Sequence, residues 1–359
     1  MTHFSRSFSI EGRQIGPQHQ PYVIAELSGN HQGDLAQALK LIDAAKNAGA
    51  DAIKIQTYTA DTITLDHDGP EFLINGGLWQ GRTLHDLYQE AHTPWAWHPR
   101  LFEYAREREI TLFSSPFDPS AVALLEDLAC PAYKIASFEI NDIGLIKTAA
   151  STGKPLIIST GLATLDEIEE AVQAVQDAGG KQLALLHCIS GYPTPIEDCN
   201  LRTIADLHKR FGLPVGLSDH TSDNLASVTS VAMGASIIEK HFVLDRNDGS
   251  VDAAFSLEPN EFKYMVQDAK RAYLAMGQAG YDIKPSEAGG RDFRRSLYVS
   301  KHIAKGECFS ADNLRSVRPG LGLHTRNLPT ILGRKASQDI AFGTPLSAHH
   351  VQDFEEVSK

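Results

Sequence analysis

The segment AYKIASFEINDIGLIKTAASTGKPLIISTGLATLDEIEEAVQAVQDAG, residues 132–179, decides the fold of this chain. It contains two short apolar runs rich in strand-forming residues, 132–139 and 155–161. Each run is followed by a segment with apolar residues at helical spacing, 141–152 and 164–179. Strands that alternate with amphipathic helices predict a parallel sheet covered by helices.

The same strand-then-helix unit occurs eight times. The predicted strands are 22–28, 51–58, 111–117, 132–139, 155–161, 183–190, 215–221 and 236–242. The predicted helices are 34–50, 95–109, 119–129, 141–152, 164–179, 200–211, 224–234 and 259–277. Eight units within about 250 residues are typical of a closed (β/α)8 TIM barrel. A doubly wound open sheet is the structural alternative, but no GxGxxG follows the first strand.

The remainder of the chain predicts a second, smaller domain. The barrel domain spans 1–277 and begins with a short hairpin in FSIEGRQIG, and a linker rich in Gly, Pro and charge covers 278–292. Residues 293–359 form the small domain, in which KGECFSADNL (305–314) weakly repeats as FGTPLSAHHV (342–351). Two similar pieces predict a pseudo-symmetric module.

Composition excludes several classes of function. The 359 residues include 45 acidic and 33 basic ones, for a net charge of −12, which argues against a nucleic-acid backbone binder. No apolar run is long enough for a membrane span, and the N-terminus lacks the apolar core of a signal peptide. Four isolated cysteines, Cys130, Cys188, Cys199 and Cys308, predict reduced thiols in a cytoplasmic protein, each serving as a small buried hydrophobe.

Polar residues at the strand ends indicate chemistry, because TIM-barrel sites lie at the carboxyl ends of the strands. Lys54 and Lys134 lie within otherwise apolar strands and must be paired with an anion if buried. The hydroxyls of four serines would converge on the same opening, namely Ser115, Ser137, Ser159 and Ser218. Lysines together with hydroxyls suit a ligand that carries a phosphate and a carboxylate.

Two histidines, His220 and His241, end neighbouring strands and suit a catalytic divalent cation. Glu26 and Glu139 are candidate acid–base groups. Taken singly, each residue has a structural explanation, since serines cap helices and buried histidines are often only hydrogen-bonded. Taken jointly, they predict a metal-assisted reaction on a small phosphorylated anion.

Several longer motifs resemble the sialic acid synthase family: AELSGNHQGDLAQALKLIDAAKNAGADAIKIQTYTADTIT, FSSPFD, AYKIASFE, ISTGLAT, GYPTPIEDCNL, GLSDHT and IEKHF. The resemblance extends from about Tyr22 to Phe354. It implies a TIM barrel followed by a small C-terminal antifreeze-like (SAF) domain. It also implies a transferase that condenses phosphoenolpyruvate with an N-acetylated amino-sugar to make a nine-carbon 2-keto acid.

Within the family, AELSGNH, GGLWQGRTLHDLYQEAHTPWAWH, RSLYVSKHIAKGE and SVRPGLGLH resemble the branch that makes pseudaminic acid. The implied acceptor is 2,4-diacetamido-2,4,6-trideoxy-L-altrose. Gly29 departs from this branch, which often has Ala at that position, and we expect no change of reaction from it.

The resemblance also implies roles for single residues. It makes His220 and His241 ligands of a divalent metal, usually Mn2+, with Mg2+ or Co2+ as substitutes. The implied phosphoenolpyruvate contacts are Lys54, Ser115, Lys134, Ser137, Ser159 and Ser218. The implied sugar-site residues are Glu26, Glu139, Ser190, Tyr192 and Asp252. Arg318 matches an arginine that enters the partner subunit's site, which implies a domain-swapped homodimer.

Rival functions follow from the same residues. A legionaminic or N-acetylneuraminic acid synthase would keep the chemistry and change the sugar. A metal-dependent barrel hydrolase would require more His and carboxylate ligands and leaves the lysines without a purpose. A non-catalytic carbohydrate- or ice-binding protein would not need Lys, His and Glu at one barrel mouth. The expected partners are therefore phosphoenolpyruvate and an amino-sugar, with no nucleic acid and no membrane.

Overall fold

Two units make up the chain, residues 1–277 and residues 278–359. They are seen in a computed structural model, which describes residues 4–356. The first unit begins with an antiparallel hairpin of β1 (Phe8–Ile10) and β2 (Arg13–Ile15), as the sequence predicts. Its apolar side chains join the core of the first unit.

Eight parallel strands then close into a barrel, which confirms the predicted fold. The strands are β3 (Tyr22–Glu26), β4 (Ala52–Thr57), β5 (Thr111–Pro116), β6 (Tyr133–Ile135), β7 (Leu156–Ser159), β8 (Leu183–Cys188), β9 (Val215–Asp219) and β10 (Ile237–His241). They pair in chain order, and β10 closes the barrel on β3. Nearly every strand residue is buried, because side chains face either the barrel interior or the helix layer.

Helices cover the outside of the barrel. They are α1 (Leu35–Asn47), α2 (Ala60–Ile63), α3 (Leu84–Ala91), α4 (His98–Glu107), α5 (Pro119–Asp127), α6 (Ile143–Ser151), α7 (Leu165–Asp177), α8 (Arg202–Phe211), α9 (Leu225–Ala232) and α10 (Pro259–Met276). All eight predicted helices are present. The sequence did not predict α2 and α3, which lie in the polar, Gly-rich stretch between β4 and β5.

Capping side chains explain where several helices begin. Asp34, Thr83, Asp118, Asp142 and Thr164 each accept a hydrogen bond from a backbone N–H of the first turn. Such caps satisfy N–H groups that have no partner within the helix. The starts of α1, α5, α6 and α7 are therefore encoded locally, which is why the sequence predicts these helices, whereas Thr83 caps α3, which it did not predict.

Gly216 in β9 permits a close approach inside the barrel. A Cβ atom at this position would lie 2.3 Å from the carbonyl oxygen of Ile237 and 2.7 Å from a methyl carbon of Leu186. A side chain of any size would therefore push β9 away from β10. The carboxyl ends of these two strands carry the histidines considered below.

The second unit has its own core. It contains β11 (Ser296–Val299), which pairs antiparallel with β12 (Leu314–Val317), and the single turn α11 (Leu328–Ile331). The two copies of the weak repeat adopt the same local structure. Ile303 and Ile340, each two residues before its copy, exchange backbone hydrogen bonds of 2.9 and 2.8 Å. The module is thus pseudo-symmetric, as the repeat predicts.

Other predictions have mixed outcomes. Residues 278–292, predicted as a linker, are largely exposed and enter a 3-10 segment at Pro285–Phe293. Cys130, Cys188 and Cys199 are free and buried, but Cys308 is free and exposed, so the interpretation of that residue as a buried hydrophobe is wrong. Within residues 4–356, no helix has the length and apolarity needed to cross a bilayer.

We expect Gly216→Ala to lower the free energy of unfolding of the barrel by about 1–3 kcal/mol, because the added methyl overpacks the interior. All three tryptophans lie in residues 79–97, so urea unfolding followed by tryptophan fluorescence reports on the barrel. Gly280→Ala is the matched control, since a Cβ there meets nothing within 4 Å. Equal stability of the two variants would contradict this packing argument.

Candidate active site

Four ionisable side chains meet inside the barrel near the carboxyl ends of the strands. They are Glu26 of β3, Lys54 of β4, Lys134 of β6 and Glu239 of β10, and we call them the charge network. β6 and β10 are not neighbours in the barrel, so contact between their side chains can occur only across its interior. Each of the four residues is at most 3% exposed.

The charge network alternates in sign. The Lys54 Nζ atom lies 2.6 Å from Glu26 Oε2 and 3.7 Å from Glu239 Oε1. The Lys134 Nζ atom lies 2.9 and 3.1 Å from the two carboxylate oxygens of Glu239. Two ammonium groups and two carboxyl groups thus face one another in a space that excludes bulk water.

This pairing refines the expectation drawn from the lysines. The sequence predicts that Lys54 and Lys134 require an anionic ligand, whereas the protein itself supplies Glu26 and Glu239. The sequence does not predict Glu239 as the partner of these lysines, although Glu239 lies in the IEKHF motif. Its position beside Lys240 in the sequence does not reveal that its side chain pairs with lysines across the barrel.

The two lysines have opposite pKa shifts because they have different neighbours. Burial lowers the pKa of Lys54, but the charges of Glu239 and Glu26 outweigh it, so the pKa is raised. Lys134 has only Glu239 as a close carboxylate, and burial together with the charge of Lys54 lowers its pKa. Lys54 is therefore the more firmly protonated of the two lysines.

The two carboxyl groups also differ. Burial raises the pKa of Glu26, and Lys54 only partly opposes this effect. Burial acts on Glu239 in the same direction, but the charges of Lys134 and Lys54 lower its pKa to about 2. Glu239 is thus the fixed negative charge at the centre of the network.

Two of the four predicted serine hydroxyls form hydrogen bonds to the charge network. Ser115 accepts a hydrogen bond from Lys54 Nζ at 3.2 Å, and Ser218 donates to Glu239 at 3.1 Å. Ser137 accepts from the Gly161 N–H at 3.1 Å. The hydroxyl of Ser159 is buried without a hydrogen-bond partner among residues 4–356, so it is free to contact a ligand.

Gly161 lets two of the predicted serines approach each other. A Cβ atom at Gly161 would lie 2.3 Å from Ser190 Oγ and 2.7 Å from Ser137 Oγ. The absence of a side chain there brings the loops after β6, β7 and β8 together. This contact joins Ser137, near the charge network, to Ser190, which lines the adjoining cavity.

His220 and His241 lie together, with ring centroids 5.3 Å apart. The Nδ1 atom of His220 lies 3.0 Å from the carbonyl oxygen of Ile189, which leaves Nε2 as its free nitrogen. The Nδ1 atom of His241 is buried, has no hydrogen-bond partner in the described part of the chain, and lies 3.7 Å from Asp252 Oδ2.

These histidines fit a divalent cation with open coordination positions. Burial and the nearby charge of His220 hold the pKa of His241 well below its usual value, so the imidazole is neutral and can donate a lone pair. Across residues 4–356, no group of three or more His, Cys, Asp or Glu side chains could hold a metal ion. Within the described residues, the site therefore offers two histidine ligands, and the remaining positions would be open to water or substrate.

A cavity of about 520 Å³ is lined by His241 and by Gln56, whose side chain donates a hydrogen bond to Glu26 of the charge network. This volume is within the range found for small-molecule binding sites. Its polar lining includes five of the predicted site residues, namely Glu139, Ser190, Tyr192, His241 and Asp252. The Tyr192 ring packs against His220 at a centroid distance of 4.5 Å and against Phe255 at 5.1 Å.

One wall of this cavity is apolar and comes from the segment between β4 and β5. Its side chains are Ile63, Ile74, Trp79, Leu84, Leu87, Tyr88 and Ala91. Trp79 also donates a hydrogen bond from its indole N–H to the carbonyl of Val251, beside Asp252. The sequence did not predict this wall because its apolar residues are separated by glycines and short turns.

Two carboxyl groups on the cavity wall have raised pKa values. Burial raises the pKa of Glu139 to about 7, and its Oε2 atom has no hydrogen-bond partner within the described residues. Burial likewise raises the pKa of Asp252 to about 6. A carboxyl group with a pKa near neutrality can both give and take a proton.

Arg318 lies in the second unit and is exposed, without a side-chain hydrogen bond or ion pair among residues 4–356. An exposed guanidinium is available to an anion or to another subunit. Its predicted role at a partner's site remains a prediction.

Comparison with known proteins supports both units. The NeuB family model matches residues 41–281, and the SAF domain model matches residues 294–352. The pseudaminic acid synthase of Campylobacter jejuni (strain 81-176) is 49% identical over 325 residues, which cover 90% of this chain and 95% of that protein. The pseudaminic acid synthase of Helicobacter pylori (strain 26695) is 45% identical over 92% of this chain and 98% of that protein.

A solved structure is also similar. It is the N-acetylneuraminic acid synthetase of Leptospira borgpetersenii, in complex with citrate. The TM-score is 0.72 at 32% identity, and the match covers 81% of this chain and 96% of that one.

We expect Glu239→Gln to lower the free energy of unfolding by about 3–5 kcal/mol, because it leaves Lys134 buried without a carboxylate. The double variant Glu239→Gln/Lys134→Met should recover much of this loss, since it also removes the uncompensated ammonium group. Urea unfolding followed by tryptophan fluorescence measures both. If the double variant is no more stable than the single one, the ion pair of Lys134 with Glu239 does not account for the loss of stability.

Proposed function

The chain belongs to the NeuB family, and from this membership and the barrel site we propose that it makes pseudaminic acid. It condenses phosphoenolpyruvate with 2,4-diacetamido-2,4,6-trideoxy-L-altrose and water, and releases phosphate. The observation that carries this proposal is the identity of 45–49%, over 90% or more of the chain, to pseudaminic acid synthases. The site agrees, because cationic, hydroxyl and carboxyl groups meet beside a cavity that a sugar can fill.

Phosphoenolpyruvate carries a phosphate and a carboxylate, so we assign it to the lysines of the charge network. The ammonium groups of Lys54 and Lys134 would form hydrogen bonds both to Glu239 and to the substrate's oxygens. These bonds would stabilise negative charge in a water-poor site. Ser115, Ser137, Ser159 and Ser218 would supply hydroxyl donors. The free, buried hydroxyl of Ser159 supports this assignment most directly.

A divalent cation, Mn2+ or alternatively Mg2+ or Co2+, would be held by His220 and His241. When bound, it would act as a Lewis acid that polarises the aldehyde of the open-chain sugar. The neutral imidazole of His241, with its unsatisfied buried Nδ1, supports this assignment.

We assign the acceptor sugar to the cavity. Its hydroxyl groups would contact Tyr192, Ser190 and Asp252, and its methyl and acetamido groups would lie against the apolar wall from the β4–β5 segment. This wall supports the 6-deoxy, diacetamido sugar, which is more apolar than N-acetylmannosamine. A legionaminic or N-acetylneuraminic acid synthase would use the same chemistry on a different sugar.

The structure favours Glu139 over Glu26 as the group that moves protons. Glu26 is held by Lys54, by the Ser28 N–H and by the Gln56 side chain. Glu139 has a free carboxyl oxygen on the cavity wall and a pKa of about 7.

The proton balance of the reaction then assigns Glu139 two linked transfers. As C3 of phosphoenolpyruvate bonds to the aldehyde carbon, protonated Glu139 gives its proton to the sugar oxygen. A water molecule adds at C2 and returns a proton to Glu139. The C–O bond to phosphate then breaks, C2 becomes a ketone, and the departing phosphate takes the remaining hydroxyl proton.

We further propose that the active species is a domain-swapped homodimer in which Arg318 contacts the sugar in the partner's site. The exposed guanidinium of Arg318 supports this assembly. The free thiols support a reducing, cytoplasmic location.

The first experiment measures phosphate release from phosphoenolpyruvate and Mn2+ with three sugars in parallel. These are the L-altro diacetamido sugar, its D-manno counterpart and N-acetylmannosamine. Release with only the first is expected. Release with only one of the other two would keep the chemistry and overturn the assigned sugar, and no release with any would overturn the reaction.

Glu139→Gln should remove the decline of kcat/KM at alkaline pH, because a glutamine side chain does not titrate. Because the protonated form begins the cycle, kcat/KM for the sugar in the unchanged protein should fall as pH rises above about 7. The variant should be at least 100-fold slower and lack this limb. A variant that retains the same alkaline limb would assign the titration to another group.

A further inference from the structure

The motifs GLSDHT and IEKHF, which contain His220 and His241, each include a charged residue whose side chain faces away from the site. Asp219 is the last residue of β9 and directly precedes His220. Lys240 directly precedes His241, the last residue of β10. Successive strand residues point to opposite faces, so these two side chains enter the layer between barrel and helices. The Lys240 Nζ atom lies 3.1 Å from Asp219 Oδ2, and both side chains are at most 1% exposed.

This buried pair is fully hydrogen-bonded. Asp219 Oδ1 accepts from the backbone N–H and the hydroxyl of Thr221, both at 2.8 Å, and Oδ2 accepts from the Ser227 hydroxyl of α9. Lys240 also donates to the carbonyl and hydroxyl oxygens of Thr221. The pair thus ties the end of β9, the loop that follows it, α9 and the end of β10 together.

Fold stability alone does not require such a pair, because two apolar side chains of similar volume often serve a buried layer equally well. Its location offers another explanation, since it joins the two backbone positions directly before the histidines. We propose that Asp219 and Lys240 are positioning residues that fix the separation of His220 and His241 for metal binding. The inference rests on the proposed metal role of these histidines.

The two histidines depend on this pair to different degrees. His220 has further support, because its ring contacts the Ile189 carbonyl and its own carbonyl accepts from the Thr194 N–H at 2.9 Å. The ring of His241 lacks a hydrogen bond at Nδ1 within residues 4–356 and packs against Phe255. The backbone of β10, which Lys240 anchors, therefore sets where His241 lies.

The test is Mn2+ affinity, measured by electron paramagnetic resonance of the free ion on the full chain without substrate. Lys240→Met and the double variant Asp219→Leu/Lys240→Met should bind Mn2+ about 10–100-fold more weakly than the unchanged protein. The melting temperature of the double variant should exceed that of Lys240→Met, which leaves the Asp219 carboxylate buried without a cation. Lys154→Met is the matched control, since it removes a lysine from the partly exposed ion pair with Glu126, and its Mn2+ affinity should not change.

The outcomes separate the inference from the proposed function. If the unchanged protein binds no Mn2+, the metal role of the histidines fails, and the inference fails with it. If that protein binds Mn2+ and a folded double variant binds it equally well, only the positioning role is overturned. If these variants do not fold, Lys240→Arg and Asp219→Asn take their place, with the same weakening expected and unchanged affinity again overturning the role.

Discussion

Charge balance inside a closed barrel is the constraint on which the rest of this structure depends. Lys54 and Lys134 lie where water cannot solvate them, so each must face a carboxylate. Glu239 meets both lysines, and Glu26 meets one, which fixes the inward-facing residues of β3, β4, β6 and β10 relative to one another. A shift of one residue in any of these strands would turn its charged side chain into the helix layer. The network therefore specifies the barrel register and concentrates charge near the carboxyl ends of the strands.

The same strands use their opposite faces for a second charge pair. Glu239 and His241 face inward, while Lys240 between them faces the helix layer and meets Asp219. One strand end thus contributes an ion-pair partner, a candidate metal ligand and an anchoring group at three consecutive positions. Each residue has a different partner, and none can be exchanged without loss of that partner.

Local patterns carried most of the fold but only part of the site. The eight strands and their helices could be predicted because apolar runs, helical spacing and capping residues such as Asp118 and Thr164 act over a few residues. The pairing of Lys134 with Glu239 could not, because the residues are 105 apart in sequence and meet only once the barrel has closed. The apolar wall was missed for a related reason. Its contacts with Tyr192 and Val251 come from loops after β8 and β10, which no local pattern brings together.

The division between charged interior and apolar wall suggests how one scaffold can keep its chemistry while its sugar changes. The reacting groups of phosphoenolpyruvate would contact strand residues such as Lys54 and Ser159, which the barrel register holds in place. The acceptor would contact the segment between β4 and β5, which extends outside the barrel and is free to vary in length and composition. Sugar preference would then be set by residues such as Leu87 and Trp79, and the reaction by residues that the closed barrel positions.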